Sequence, residues 1–297
     1  MQLAPAPALE VTAKTPVVTP VAATEAPPWK WSWARWAPNE GATFFWVCLI
    51  HALTITGLVL YPTPGWKLVG IAYGLFWLGG LGTTVAYHRS LAHRAVKLHP
   101  VIEFPLVFFA LMNGSGTPAT WSANHRLHHA HSDTPLDISS PRVGGFWWSH
   151  LRWLWQAGQA PIAKWAPDLN RGRYLFFTRM QIPMLAVSLL AGAFFGWAAF
   201  FWIGPIRLCF ALHAQCVTNS VAHLNPKVGP GEDSAMNIAW MAPVQAFQGE
   251  NWHENHHSQP ASARLGWTWA QVDLGWCFIV ACEKLGLATS VRRPTAN

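Results

Sequence analysis

Four long apolar runs limit what this chain can fold into more than any motif it contains. They cover roughly 43–61, 66–87, 181–203 and 205–224, and a helix needs about 20 apolar residues to cross the hydrocarbon core of a bilayer. Backbone polar groups in lipid must be satisfied within their own segment, so such runs are helical. The turn Pro62-Thr63-Pro64-Gly65 makes the first two runs an antiparallel pair, and a hinge at Gly204-Pro205 is expected to do the same for the second two. Composition agrees with a membrane protein. Only 11% of the 297 residues are charged and 52% are hydrophobic, whereas soluble domains carry about 25% charged residues. The predicted fold class is therefore all-α integral membrane, with four transmembrane helices in two antiparallel pairs.

The remaining segments sort by composition. Residues 1–28 are an Ala/Pro-rich stretch with no apolar period, expected to be a disordered tail; 29–291 form the membrane domain and 292–297 a short tail. Trp29, Trp31, Trp33 and Trp36, interleaved with Lys30 and Arg35, read as an interfacial anchor. Val101–Met112, broken by Glu103 and Pro105, is too short to cross, and Phe146–Trp155 and Gly266–Leu287 carry polar residues; all three are expected at the interface or beneath a cap. Basic residues crowd the connection between the second and third spans (Arg89, Arg94, Lys97, Arg126, Arg142 and others), against Lys67 and Arg207 opposite. The positive-inside rule then makes that connection and both termini cytoplasmic. The formal charge of +7 is scattered and accompanied by no nucleic-acid motif, so lipid headgroups, not nucleic acid, are the expected polyanion. Five cysteines form no CxxC pair, and Cys209 and Cys216 read as small buried hydrophobes.

Fourteen histidines are unevenly distributed. Three clusters stand out: His88-Arg-Ser-Leu-Ala-His93, His125-Arg-Leu-His128-His129 and His253-Glu-Asn-His256-His257. On a helix each HxxHH places its three imidazoles on one face. His88 and His93 lie about 140° apart on a regular helix, so either they serve two different metals or the helix ends between them. An even number of predicted spans separates every pair of clusters, so all eight side chains can meet on one side of the membrane. Eight imidazoles exceed what a single four-coordinate ion holds, which implies two metal ions. Imidazole suits Zn, Cu, Fe and Ni alike, leaving the metal open.

The motifs YHRSLAHR (Tyr87–Arg94), NHRLHHAHSDTPLD (Asn124–Asp137) and GENWHENHH (Gly249–His257) resemble those of the membrane fatty-acid desaturases, in particular the Δ9 acyl-CoA and acyl-lipid type. Trp147-Trp148-Ser149-His150 and Asn219-Ser220-Val221-Ala222-His223 also look like family segments. The resemblance implies a cytoplasmic helical cap holding a di-iron centre (Fe2+/Fe3+) with O2 as co-substrate. It implies nine histidine ligands: His88, His93, His125, His128, His129, His253, His256, His257 and, as the ninth, His223. Asn219 would act through a metal-bound water, with no catalytic side chain beyond the ligands. His51, His99, His131, His150 and His213 match no ligand position; His131 and His150 are the expected hydrogen-bond partners of the ligands. Glu250 and Glu254 are expected to orient imidazoles.

The implied reaction is O2-dependent insertion of a cis double bond, Δ9 by resemblance, into a saturated fatty acyl chain. A hydroxylase or related oxidase on the same iron scaffold is the alternative; a non-enzymatic metal transporter would need a polar path that the spans lack. Reducing O2 to two waters takes four electrons, of which the acyl chain gives two. The chain contains no haem or iron–sulfur motif, so a separate ferredoxin, rubredoxin or cytochrome b5 is expected to donate the rest. The substrate would be an acyl-CoA or an acyl-lipid. No basic residue precedes the second cluster (Trp121-Ser122-Ala123-Asn124), and Asp137 is followed by Ile138 where the family has Asp-Pro. Both departures count against recognition of CoA; the overall wording resembles bacterial desaturases, some of which act on acyl chains already in glycerolipids, so a bacterial cytoplasmic membrane is expected. Gly79, Gly80, Gly82, Thr83 and Thr84 would shape the end of an acyl tunnel or serve close helix packing, and Arg126, Arg142 and Arg152 would meet headgroups or the interface.

Overall fold

The computed structural model describes residues 26–295. Helix α1 spans Gly41–Leu60, α2 Trp66–Ala92, α3 Pro100–Met112, α4 Pro118–His131, α5 Arg173–Phe195, α6 Trp197–Val221, α7 His253–Ser258 and α8 Leu274–Lys284. Helices α1, α2, α5 and α6 are long and apolar enough to cross a membrane. Their outer faces carry exposed Ile55, Val59, Ile182 and Phe194, which suits a lipid surface better than water. The one sheet among the described residues is a pair of two-residue strands, β1 (Lys97–Leu98) and antiparallel β2 (Ala288–Thr289).

Packing centres on α6. Gly57 of α1 sits so close to Phe201 that a Cβ would overlap the ring. Thr54 Oγ1 donates to the Pro205 carbonyl at 3.1 Å, and Trp202 Nε1 to the Tyr61 carbonyl at 2.8 Å. On another side Phe76 of α2 meets Phe210 edge-on at 4.9 Å. The break between the third and fourth spans differs from expectation. It lies at Gly196, whose φ of 101° is open to glycine at no steric cost. Gly204-Pro205 instead falls inside α6, where a π-turn over Trp202–Ile206 accommodates the proline's missing N–H. Arg207 consequently lies within the span rather than at its end. Its guanidinium is satisfied by the carbonyls of Ile203 and Met112, by Asn113 Oδ1 at 3.1 Å and by Ser188 Oγ, pinning α3 and α5 to α6.

The glycines of α2 serve packing. A Cβ on Gly79 would strike Asn113, on Gly80 the Gln248 amide, and on Gly82 the Leu106 carbonyl oxygen. From Gly82 to Ala92 the helix widens to π geometry, and the His93 N–H bonds the His88 carbonyl at 3.0 Å, five residues back. Helix α3 begins with Pro100 after His99, whose Nδ1 accepts from Val101 N–H, and α4 begins with Pro118 after Thr117, whose Oγ1 accepts from Thr120 N–H at 3.0 Å. Both starts combine a side-chain cap with proline at the first helical position.

The polar segments hold to the spans through buried and half-buried arginines. Arg89, on the π-turn of α2, pairs with both Asp273 oxygens at 2.9 and 3.1 Å and donates to the Gln248 and Ala263 carbonyls. Arg126 closes the end of α2 through the Leu91 and Ala92 carbonyls and pairs with Asp168 at 2.7 Å. Arg142 donates to the carbonyls of Asn225, Val228 and Gly229, and Arg152 to Gln156 and the Trp31 carbonyl. Arg126, Arg142 and Arg152, expected at headgroups or the interface, are thus engaged within the fold. The tryptophan-rich entry segment is tied down as well, Trp33 lying against Trp147 and Trp155.

The proposed disordered tail falls outside the described residues over 1–25, and Pro28–Lys30 forms a short 3-10 turn. At the other end, Arg292 bonds Ala95 and Ala263 through its backbone, and Arg293 pairs with Glu283, so residues 292–295 belong to the domain. The Arg89–Asp273 pair yields a direct test. Arg89→Leu leaves Asp273 buried without its partner, an expected cost of about 3–5 kcal/mol, read as a lower unfolding temperature of the detergent-solubilised protein.

Candidate metal centre

The histidine clusters converge from four segments. Helix α2 and the residue after it bring His88 and His93, α4 brings His125, His128 and His129, the end of α6 brings His223, and α7 brings His253, His256 and His257. They divide into two adjoining groups: His88, His93, His125, His129 and His256 in one, and His128, His223, His253 and His257 in the other. Within each group the ligand atoms lie within 4.8 Å of one another, and the groups touch where His129 stacks on His257 at 4.3 Å.

The division follows no cluster boundary. In α4, His125 and His129, four residues apart, face the first group and His128 faces the second. In α7 the order is reversed: His253 and His257 face the second group and His256 crosses to the first. Each HxxHH helix therefore contributes to both groups. His88 and His93 belong to one group, contrary to the two-metal option for them, since the π geometry between them turns through fewer degrees per residue than an α-helix. Their rings lie 5.0 Å apart, and His93 is the first residue after the helix.

Inward-facing nitrogens and outward-facing carboxylates set the chemistry. His128 Nδ1 meets Asp137 at 2.8 Å, His223 Nδ1 meets Asp133 at 3.1 Å, His257 Nδ1 meets Asp233 at 2.5 Å and His88 Nδ1 meets Glu250 at 2.9 Å. A carboxylate only accepts, so each Nδ1 carries the proton and each Nε2 turns a lone pair inward. The Nε2 atoms approach closely: 2.9 Å for His88 with His256, 2.8 Å for His256 with His129 and 2.7 Å for His93 with His125. In the second group His223 and His253 stand 2.9 Å apart and His128 and His257 3.4 Å. Two imidazoles bound to one ion at about 2.0–2.1 Å have nitrogens roughly 2.9–3.4 Å apart. The spacing fits a shared metal ion in each group, and lone pairs so close would repel without one.

Burial, reinforced by the neighbouring imidazoles, holds His93, His125, His129, His253, His256 and His257 well below the ordinary histidine range. That keeps them neutral, the form that ligates. Burial pushes His128 the same way, but Asp137 behind it outweighs the effect and raises it. Asp133 and Asp137 stay ionised: burial would raise them, and His223 and His128 respectively draw them below the usual carboxylate range. Trp121 stacks on His125 at 4.7 Å and covers the first group.

Several expected partners fall elsewhere. Glu250 does orient His88, and it also accepts from Thr84 Oγ1. Glu254 faces the amide of Asn237 instead of an imidazole. His131 packs on Trp165, and His150 bonds Ser220 and His213, so neither supports a member of the two groups. The supporting aspartates went unassigned in the sequence, although Asp133 and Asp137 stand in SDTPLD directly after the second cluster. Asn219 is half-buried one turn before His223 on α6, and its amide makes no hydrogen bond among the described residues.

Comparison with known proteins shows the family. The fatty acid desaturase family model matches residues 62–273. The chain belongs to the fatty acid desaturase family. It is 32% identical to Delta-9 acyl-lipid desaturase 2 of Arabidopsis thaliana over 93% of this chain and 91% of that one. It is 34% identical to sn-1 stearoyl-lipid 9-desaturase of Anabaena variabilis, over 76% of this chain and 85% of that one. It is 32% identical to sn-2 palmitoyl-lipid 9-desaturase of Nostoc sp., over 86% and 90%. This desaturase is accordingly a fatty-acyl oxidoreductase with a multi-pass membrane architecture.

The carboxylates behind the imidazoles are testable apart from the ligands. Asp137→Asn keeps every histidine but is expected to weaken metal retention roughly 10–100-fold, measured by competition with a chelator. Glu254→Gln, on the same assay, is expected to leave retention unchanged.

Proposed function

We propose that each histidine group holds one iron ion and that the enzyme inserts a cis Δ9 double bond into a saturated acyl chain carried on a glycerolipid. The observation that carries this reading is the division of nine convergent Nε2 donors into neighbouring sets of five and four. Asn219 would complete the smaller set through a water, since its unengaged amide lies one turn from His223. Zinc or copper would accept the same imidazoles; iron is favoured by membership of a family of oxidative enzymes. Bound iron supplies the O2-derived oxidant that removes hydrogen from an unactivated methylene.

The protein's own residues orient and enclose. Asp133, Asp137, Asp233 and Glu250 hold imidazoles in the ligating tautomer. Arg89 and Arg126 fasten the histidine-bearing segments to the end of α2. Burial by Trp121 and the surrounding apolar residues keeps water from the oxidising site, and the rigid frame selects one carbon pair. No side chain is required as nucleophile or general base.

Substrate and topology follow from position. Arg126, Arg142 and Arg152 are spent on internal bonds, the segment before His125 is uncharged, and the relatives are named for lipid-borne chains. These points favour an acyl-lipid over an acyl-CoA. With the turn at Gly196, the side opposite the histidines keeps Lys67 alone of its two basic residues, and the asymmetry favours a cytoplasmic centre with both termini inside. A bacterial cytoplasmic membrane and a separate ferredoxin, rubredoxin or cytochrome b5 complete the reading. Expression with iron and donor in a host lacking unsaturated acyl chains is expected to yield a Δ9 alkene, appearing first in phospholipid by pulse labelling. Absence of any alkene defeats the proposal, label appearing first in acyl-CoA defeats its substrate, and an oxygenated product carrying ¹⁸O from O2 points to a hydroxylase. His253→Ala is expected to abolish product while leaving the protein in the membrane.

A further inference from the structure

A second polar cluster lies between α1 and α6, separate from the nine histidines, and consists of His51, Cys209 and His213, with His150 behind. Its hydrogen bonds form a chain that ends near a carbonyl on either side. Ser220 Oγ lies 2.9 Å from the Cys216 carbonyl and 2.8 Å from His150 Nδ1, and its one hydrogen serves either. With the hydrogen on the carbonyl, His150 Nδ1 donates to Ser220 Oγ, which leaves His150 Nε2 a bare acceptor. His213 Nδ1 donates to that acceptor at 2.9 Å, so a neutral His213 has no proton on Nε2. At the other end His51 Nδ1 donates to the Val47 carbonyl at 2.7 Å, and Nε2 of His51 is bare as well. In that arrangement the two bare nitrogens face each other at 3.1 Å. Burial first, and His213 second, push His150 down to about 4, consistent with its neutral place in the chain.

Two lone pairs at that separation offer a cation a pair of convergent donors. The thiol of Cys209 is the third member: its Sγ lies within 4.8 Å of both nitrogens. We propose that His51 Nε2, His213 Nε2 and Cys209 Sγ form a third metal site, selective for cuprous ion. A thiolate and two imidazoles around Cu+ sum to zero charge, and binding releases the Cys209 proton to solvent. Zn2+ at the same donors would retain a positive charge and lack a fourth protein ligand. The expectation that Cys209 is only a small hydrophobe is thereby replaced. His213 lies eight residues, about 12 Å of helical rise, before the end of α6, and the cluster shares no residue with either histidine group, so the site is distinct from the di-metal centre and would staple α1 to α6.

The test uses the full-length, iron-loaded protein in detergent, titrated anaerobically with Cu+ against a cuprous chelator. One further equivalent is expected to bind, raise the unfolding temperature, and show a sulfur neighbour by copper X-ray absorption. Neither histidine group contains cysteine, so the sulfur signature stands whether or not those groups hold iron. Cys209→Ser and His51→Gln, checked for native elution and helicity, are each expected to lose the extra equivalent. No added Cu+ over the variants, copper without a sulfur neighbour, or Zn2+ bound in preference to Cu+ overturns the assignment.

Discussion

Nine imidazoles turn their lone pairs towards one another in a space largely closed to water, and the rest of the molecule is arranged around that strain. Left alone, the inward nitrogens repel at 2.7–3.4 Å. A metal ion in each group would turn the repulsion into attraction, but only if each ring presents the correct nitrogen. For His223, His128, His257 and His88, carboxylates at Asp133, Asp137, Asp233 and Glu250 settle that choice by occupying the opposite nitrogen. Burial depresses the basicity of the remaining rings and works in the same direction, because a protonated imidazole cannot ligate.

Bringing those rings together from segments far apart in sequence needs specific backbone devices. The π geometry over Gly82–Ala92 rotates His88 and His93 into one group, which a regular helix would not do. The buried Arg89–Asp273 pair ties the connection after α7 to the same turn of α2, and Arg126 ties α4 to its end. Close approaches at Gly79, Gly80 and Gly82 let Asn113, Gln248 and the backbone of α3 press against α2. Function and packing therefore share residues: Arg89 and Arg126 stand inside the histidine motifs yet act by holding the backbone.

Much of this was readable from residue order. The long apolar runs announced the spans, and the even number of spans between clusters allowed the histidines to meet. Where expectation and structure part, a local signal was overruled by tertiary contact. Gly204-Pro205 looks like a hinge, yet a helix packed on two neighbours absorbs the proline as a π-turn while Gly196 makes the break. Glu254 sits beside a ligand in sequence but points away on the helix, whereas Asp233, some twenty residues distant, lies behind His257. Arginines that resembled headgroup contacts are consumed by carbonyls.

Sequence by itself determined the class of the protein: four apolar spans, three histidine clusters on a common side, and membership of the fatty acid desaturase family. These depend on hydropathy and on residue type, which survive any rearrangement of the backbone. Tertiary structure alone decided which histidine joins which group, since the crossing of His128 and His256 between groups depends on how two short helices face each other. It also decided the tautomers, because they rest on carboxylates and carbonyls brought in from other segments. The cluster of His51, Cys209 and His213 belongs to the same class of fact: spacing says nothing of it, and only the packing of α1 on α6 places its donors together.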